Sequence, residues 1–323
     1  MLLTLRKYHG LGNDFLVAVD PAGDLDLDGS TARRVCDRRR GIGADGLIHS
    51  TRREQGDFGF RLWNADGSEA QMSGNGVRCL AHALADAGLV DGWAPAGGPV
   101  RVRVVTPAGD RAVELCPTAD PVVAWGSVAM GEVTVAGEGE RCNVGHGQLR
   151  VDAGNPHLVV AGADPATLDV AALGPALEAA SPGGTNVEFV TLGPGPDEVT
   201  MRVWERGVGE TEACGTGSCA AAVALHHWGR VGTRVTVHQP GGAALVDLVD
   251  AAGSTAGGRV LVATLSGPSE RIGSCLVEGA SAKGAGVALA GVAEGGERMS
   301  SARMSSARMG DGRMGDQWVG ARP

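Results

Sequence analysis

The two halves of this chain repeat one another, and that repeat limits the fold more than composition does. Displaced by 141 residues, Trp63 falls on Trp204, Glu69 on Glu210, Gly74 on Gly215, Gly76 on Gly217, Ala81 on Ala222, Leu84 on Leu225 and Gly88 on Gly229. One residue of further slip brings Gly12-Asn13 onto Gly154-Asn155. Self-similarity at a fixed offset marks a duplicated structural unit, here a Gly-Asn turn and a strand-loop-helix. At the position with the most chemistry, Cys214 falls on Ser73.

Both residues stand just before a Gly-x-Gly and an apolar run, Gly74 to Ala87 in one half and Gly215 to Trp228 in the other. The glycines allow a tight turn, and Ala220 to Leu225 are strong or acceptable helix formers. Each side chain is therefore expected at the start of a helix. There the unpaired N–H groups and the positive dipole end favour an anion, which lowers a cysteine pKa and can hold a carboxylate or phosphate. For a single Cys-Gly-x-Gly, a buried structural cysteine beside a cap explains as much. A pair is different, because two such starts meeting at a pseudo-twofold axis place one proton-transfer group on each face of a small substrate. Inverting a carbon beside a carboxylate needs that arrangement: one group removes the proton, charge spreads onto the carboxylate, and the other returns a proton opposite. No cofactor is needed if the dipoles carry the electrostatic load.

The remaining pattern is strand-rich. Strands are expected at residues 1–20 around a Gly10–Asp14 turn, at Phe58 to Trp63, and in a hairpin of Val100 to Val105 with Ala112 to Leu115. The second half adds Val122 to Val128, Leu149 to Val151, Leu158 to Val160, Val187 to Val190, Val199 to Trp204, and a hairpin of Arg234 to Val237 with Leu245 to Val249. Val260 to Leu265 closes the regular pattern, and helices are expected at Thr31 to Arg39 and Leu168 to Ala179. Gly41-Ile42-Gly43-Ala44-Asp45-Gly46 matches a dinucleotide fingerprint in letters only, since a charged helix precedes it and a strand follows.

The net charge of −9 argues against a nucleic-acid surface. Seven scattered cysteines suit free thiols, and although Cys214 and Cys219 lie five apart, no second Cys/His pair stands at zinc-site spacing, so no metal is expected. Met1 to Arg6 lacks a signal-peptide core, and no run of about 18 apolar residues occurs, so no membrane span and a cytoplasmic location are expected. From Glu278 onward Gly, Ala and Ser dominate, and residues 279–323 are expected to form a disordered tail.

Six motifs, in order through both halves, resemble the diaminopimelate epimerase family: Gly10-Leu11-Gly12-Asn13-Asp14-Phe15, Asn64-Ala65-Asp66-Gly67-Ser68-Glu69, Gly74-Asn75-Gly76-Val77-Arg78-Cys79, Gly154-Asn155-Pro156-His157, Thr185-Asn186-Val187-Glu188-Phe189, and Glu205 through Gly217. The likeness runs from about residue 6 to 277. It implies an α/β (α+β) fold of two pseudo-symmetric duplicated domains, each a barrel-like, mostly antiparallel sheet around a central helix, with the active site in the cleft between them. The halves would be 1–118, completed by about 264–277, and 119–263. The activity implied is cofactor-independent interconversion of LL- and meso-diaminopimelate, a step of lysine and cell-wall biosynthesis, in an enzyme that is commonly a homodimer. By resemblance, Asn13, Asn64, Asn155, Asn186, Glu205 and Arg206 hold the substrate's polar ends. Gly74-Asn75 and Gly215-Thr216 offer backbone donors to the carboxylate at the reacting centre, and His157 and Glu205 tune the catalytic pair. A guanidinium such as Arg206 binds a carboxylate bidentately.

One departure is chemical. The family's first catalytic residue is a cysteine, and here it is Ser73. A thiol ionises near pH 8.5, whereas a hydroxyl ionises far less readily, so Ser73 is a proton donor that needs help as a base. Gly46 stands where some family members carry a side-chain ligand for the substrate's far end. Three functions remain open from these residues: an epimerase of this family with Cys214 as thiolate base and Ser73 as donor; a related epimerase, racemase or dehydratase acting on another amino acid; and a non-catalytic paralogue that binds an amino acid.

Overall fold

Strand pairing closes the chain into two rings that share two strands. The structure is a computed structural model and describes residues 2–136, 147–251, 260–278 and 281–282. The first half runs β1 (Leu2–Gly10), β2 (Asn13–Val19), β3 (Leu25–Asp26), α1 (Gly29–Cys36), β4 (Gly46–Ser50), β5 (Phe58–Gly59), β6 (Arg61–Asn64), β7 (Glu69–Ala70), α2 (Gly74–Asp86), β8 (Val100–Thr106), β9 (Gly109–Pro117) and β10 (Val123–Ala136). The second runs β11 (Gly147–Asp152), β12 (Pro156–Ala161), α3 (Val170–Ala179), β13 (Asn186–Leu192), β14 (Glu198–Glu205), β15 (Gly209–Thr211), α4 (Gly215–His227), β16 (Arg234–Gln239), β17 (Gly242–Asp250), β18 (Val260–Glu278) and β19 (Ser281–Ala282).

The first ring passes through β1, β2, β4, the β5/β6 strand, β8, β9, β10 and β18, and β18 returns to β1. The second passes through β10, β11, β12, β13, β14, β16, β17 and β18. Each ring holds two parallel pairings at matching places, β2–β4 with β5–β8 in one and β12–β13 with β14–β16 in the other. The repeat read from the sequence is thus a repeat of strand order. Along β8, Val100, Val102 and Val104 are buried and alternate with exposed Arg101 and Arg103, as period-two strands on a closed core require.

A helix fills each ring. Every residue of α2 from Gly74 to Ala85 and of α4 from Gly215 to Leu225 is buried. The interior of an eight-stranded ring is narrow, so a helix fits only if its side chains are mostly small. The Ala-rich α4 and the 3% aromatic content follow from this. Both helix starts rest on the shared strand β18: a Cβ added at Gly74 would lie 2.7 Å from Leu265 Cδ2, and one at Gly215 would lie 2.8 Å from the same atom and 3.3 Å from Gly74 Cα.

Three expectations change. The last strand continues to Glu278, well past Leu265, because β10 and then β1 pair along it and hold even Pro268 in register with Trp125. The helix expected to reach Arg39 stops at Cys36, where Arg38 turns out to Asp14 and Asp45 at 2.8 Å each. As expected, Gly46 begins a strand that no helix follows directly, so the dinucleotide match is one of letters only. Of the expected tail, Ser281–Ala282 pairs with β3, and the rest lies outside the described residues, as does Cys142. No helix among the described residues is long and apolar enough to cross a membrane.

Leu265 is fully buried beneath both helix starts. Replacing Leu265 with Ala is expected to cost about 2–5 kcal/mol of stability in urea titration, the range for a core cavity, since neither glycine side can move in to fill it.

Candidate active site

The first turns of α2 and α4 meet at a cavity of about 700 Å³. Of the residues singled out in the sequence, Asn13, Asn64, Ser73, Asn155, Asn186, Glu205, Arg206 and Thr216 line it. Gly74, Asn75 and Gly215 form the buried helix turns behind, Cys214 is 5% exposed, and His157 lies fully inside.

Ser73 and Cys214 do the same structural job. Ser73 Oγ accepts the Gly76 N–H at 3.0 Å, and Cys214 Sγ accepts the Gly217 N–H at 3.4 Å. Each is an N-cap, the position at which a short polar side chain satisfies an orphan N–H. Cys214 is further held by a clamp: its N–H donates to Gln239 Oε1 at 2.8 Å, while Gln239 Nε2 donates to Ser218 Oγ at 3.0 Å.

The electrostatics around Cys214 differ from the simple helix-dipole expectation. Burial pushes its thiol well above the usual range, and the Glu205 and Glu188 carboxylates push it further, against the pull of Thr216 and the Gly217 N–H. Glu205, at the end of β14, is also raised by burial, while hydrogen bonds from Thr211 and Cys214 draw it down. Burial and the two carboxylates therefore favour the thiol over the thiolate, and Glu205 is the carboxylate that weighs on it most.

The flanking amides are fixed by partners. Asn13 Nδ2 donates to Asp45 Oδ2 at 2.8 Å, and its Oδ1 accepts from Asn75 Nδ2 at 3.2 Å. Asn186 Oδ1 accepts the Arg206 backbone N–H at 2.9 Å, and Asn64 Nδ2 donates to Ser68 Oγ at 3.0 Å. Asn155 Oδ1 lies 2.9 Å from His157 Nε2, and His157 Nδ1 lies 2.6 Å from Glu188 Oε1. Asp45 and Glu188 were not singled out in the sequence. Their one available signal is a carboxylate inside or just before an otherwise apolar strand. Gly46 has no room for a side chain, since its Cβ would lie 2.8 Å from Leu62 Cδ1 and 2.9 Å from the Trp63 carbonyl. The cavity wall carries Asp45, Asp66, Glu69 and Glu205 against Arg206, a balance that suits a ligand bearing ammonium groups as well as carboxylates.

Solved structures share this architecture. A probable proline racemase from Agrobacterium radiobacter superimposes with a TM-score of 0.66 at 18% identity, covering 85% of this chain and 92% of that one. A hydroxyproline epimerase from Agrobacterium vitis superimposes with a TM-score of 0.63 at 17% identity and the same coverage. At such identities the likeness is one of fold. The sequence pattern of the family described as diaminopimelate epimerase matches residues 5–136 and 149–267. The diaminopimelate epimerase of Desulforudis audaxviator is 41% identical over 281 residues, 84% of this chain and 97% of that protein. That of Heliobacterium modesticaldum is 42% identical over 256 residues, 73% of this chain and 88% of that protein. The chain belongs to the diaminopimelate epimerase family.

Glu205 raises the Cys214 pKa by its charge, so Glu205→Gln is expected to lower it. Iodoacetamide labelling of Cys214 at pH 7.5, read by mass spectrometry, should quicken by about threefold or more while labelling of Cys79 and Cys219 stays unchanged. Slower labelling of Cys214 would contradict this sign.

Proposed function

We propose that this chain interconverts LL- and meso-2,6-diaminopimelate by proton transfer at one α-carbon, with Cys214 serving one face and Ser73 the other. The observation that carries this is the meeting of two helix starts, each capped by one of those two side chains. The halves, 1–118 completed by about 264–277 and 119–263, act as the two walls of the site. A carboxylate between them takes the backbone N–H groups of Gly74-Asn75 and Gly215-Thr216, and both helix dipoles stabilise the charge that spreads onto it. Asn13, Asn64, Asn155, Asn186, Glu205 and Arg206 hold the substrate's polar ends.

The proton inventory is short. Cys214 passes its thiol proton to Glu205, the thiolate takes the α-proton, and the Ser73 hydroxyl returns a proton on the opposite face; solvent then restores the proton of Ser73 and takes the one on Glu205. In the reverse direction Ser73 must act as base, which a hydroxyl does poorly. His157, held between Asn155 and Glu188, tunes the catalytic pair together with Glu205. Such a reaction needs no cofactor. The family likeness also supports a homodimer and a cytoplasmic enzyme of lysine and cell-wall precursor synthesis.

Incubation with LL-diaminopimelate in deuterated water is expected to give meso product labelled at the inverted α-carbon. Absence of both label and product overturns the assignment. Ser73→Cys should raise kcat/KM by about tenfold or more, because it restores an ionisable group, and Cys214→Ser should lower kcat by at least about 100-fold. The departure at Ser73 favours, as a second reading, a reaction that needs one strong base. That reading gains if Ser73→Cys stays silent on diaminopimelate while another amino acid exchanges its α-proton. Ligand-induced stabilisation without any exchange points to a binding protein.

A further inference from the structure

The hydrogen bonds around the backbone of Cys214 close into a ring. The Cys214 N–H donates to Gln239 Oε1 at 2.8 Å, Gln239 Nε2 donates to Ser218 Oγ at 3.0 Å, and Ser218 Oγ donates to the Cys214 carbonyl at 2.8 Å. Every direction in it is forced. A backbone N–H only donates and a carbonyl only accepts, so Gln239 turns its amide oxygen to Cys214 and its NH2 to Ser218, whose hydroxyl accepts from one side and donates to the other. Among the described residues the Cys214 N–H has no other acceptor.

This ring holds Cys214 without using its sulfur. Sulfur is a weaker acceptor than a hydroxyl oxygen, so the Gly217 N–H on Cys214 Sγ anchors its helix start less firmly than the Gly76 N–H on Ser73 Oγ anchors the other. The first half has no hydroxyl with which to build a counterpart, because Val77 stands 141 residues before Ser218. The half that carries the thiol is the half that carries the ring.

Gln239 rests on a fixed support. It ends β16, in register with Gly242 across the Pro240-Gly241 turn. The Gly241 N–H donates to the Glu212 carbonyl at 3.0 Å, and a Cβ at Gly241 would lie 1.9 Å from the Leu11 carbonyl oxygen. The turn is therefore wedged between the segment leading to Cys214 and the Leu11-Gly12 turn of the first half. Ser218, at the other side of the ring, is fully buried in α4.

We propose that Gln239 is a positioning residue for Cys214: it fixes the backbone at the start of α4, so that Sγ can turn from its cap to the substrate α-carbon while the helix start stays in place. The part played in turnover rests on the function proposed above, and the holding of the backbone does not.

The test compares Gln239→Leu, Gln239→Glu and Ser218→Ala with the wild-type chain, by NMR hydrogen exchange of the Cys214 backbone amide measured against the Cys219 amide of the same helix, and by kinetics with LL-diaminopimelate. Gln239→Leu is expected to quicken Cys214 exchange about tenfold or more while Cys219 exchange stays within about threefold, and to lower kcat about tenfold or more with KM within about threefold. Gln239→Glu still accepts the N–H and is expected to keep Cys214 exchange within about threefold of wild type. Ser218→Ala is expected to quicken it about threefold or more, and to add little to Gln239→Leu, because both break one ring. A purely structural role predicts a lower melting temperature, Cys214 and Cys219 exchange quickened together, and kcat unchanged, and that result overturns the proposal. Cys214 exchange unmoved by Gln239→Leu overturns it as well. If Gln239→Leu does not fold, the other two variants decide: unchanged Cys214 exchange in Ser218→Ala, or exchange quickened about tenfold or more in Gln239→Glu, overturns it. A wild-type chain that does not interconvert diaminopimelate refutes the function, while the exchange rates still judge the holding role.

Discussion

The contact between Gly74 and Gly215 over Leu265 is the constraint from which the rest of the site follows. Two helices can start this close only if neither first residue carries a side chain, and the shared strand β18 puts one leucine under both. Once the starts are fixed, Ser73 and Cys214 have little freedom, because each is tied to its own helix as the cap. A ring with a different strand order, or a bulkier central helix, would separate the two caps. The Ala-rich interior and the scarcity of aromatic residues are thus conditions for the chemistry as well as for the packing.

Positive and negative fields meet at this contact. The helix starts offer N–H groups to an anion, while burial first, and then the Glu205 and Glu188 carboxylates on β14 and β13, push the Cys214 thiol above its usual range. In the proposed reaction, ionisation would come with a ligand whose ammonium groups offset those carboxylates and whose carboxylate occupies the helix starts. The asymmetry of the two rings sharpens this. A Cβ at Gly76 would meet Ile48 Cδ1 at 3.3 Å, whereas one at Gly217 would meet Glu188 Oε1 at 2.8 Å. The ring that carries the thiol is the ring with a buried carboxylate beneath its helix, and the ring that carries the hydroxyl has a leucine-sized hydrocarbon there.

The duplication was legible because matched residues sit at one offset, and it carried with it the two caps, the Gly-Asn turns and the strand-loop-helix order. Less was legible where tertiary partners decide. The length of β18 depends on β10 and β1, not on its own Gly-Pro-Ser interruption. The direction of the Cys214 shift depends on burial and then on two carboxylates from separate strands, which no local pattern joins to residue 214. Asp45 stood only as a letter of a glycine-rich loop with no nucleotide role, and its bond to Asn13 brings it to the cavity wall.

The most direct test of the two-faced site is a crystal structure with a diaminopimelate analogue that cannot lose its α-proton. The account predicts its carboxylate on the N–H groups of Gly74-Asn75 and Gly215-Thr216, with Ser73 Oγ and Cys214 Sγ on opposite sides of the α-carbon, each within about 3.5 Å. Both side chains on the same side, or the carboxylate away from the helix starts, would contradict it.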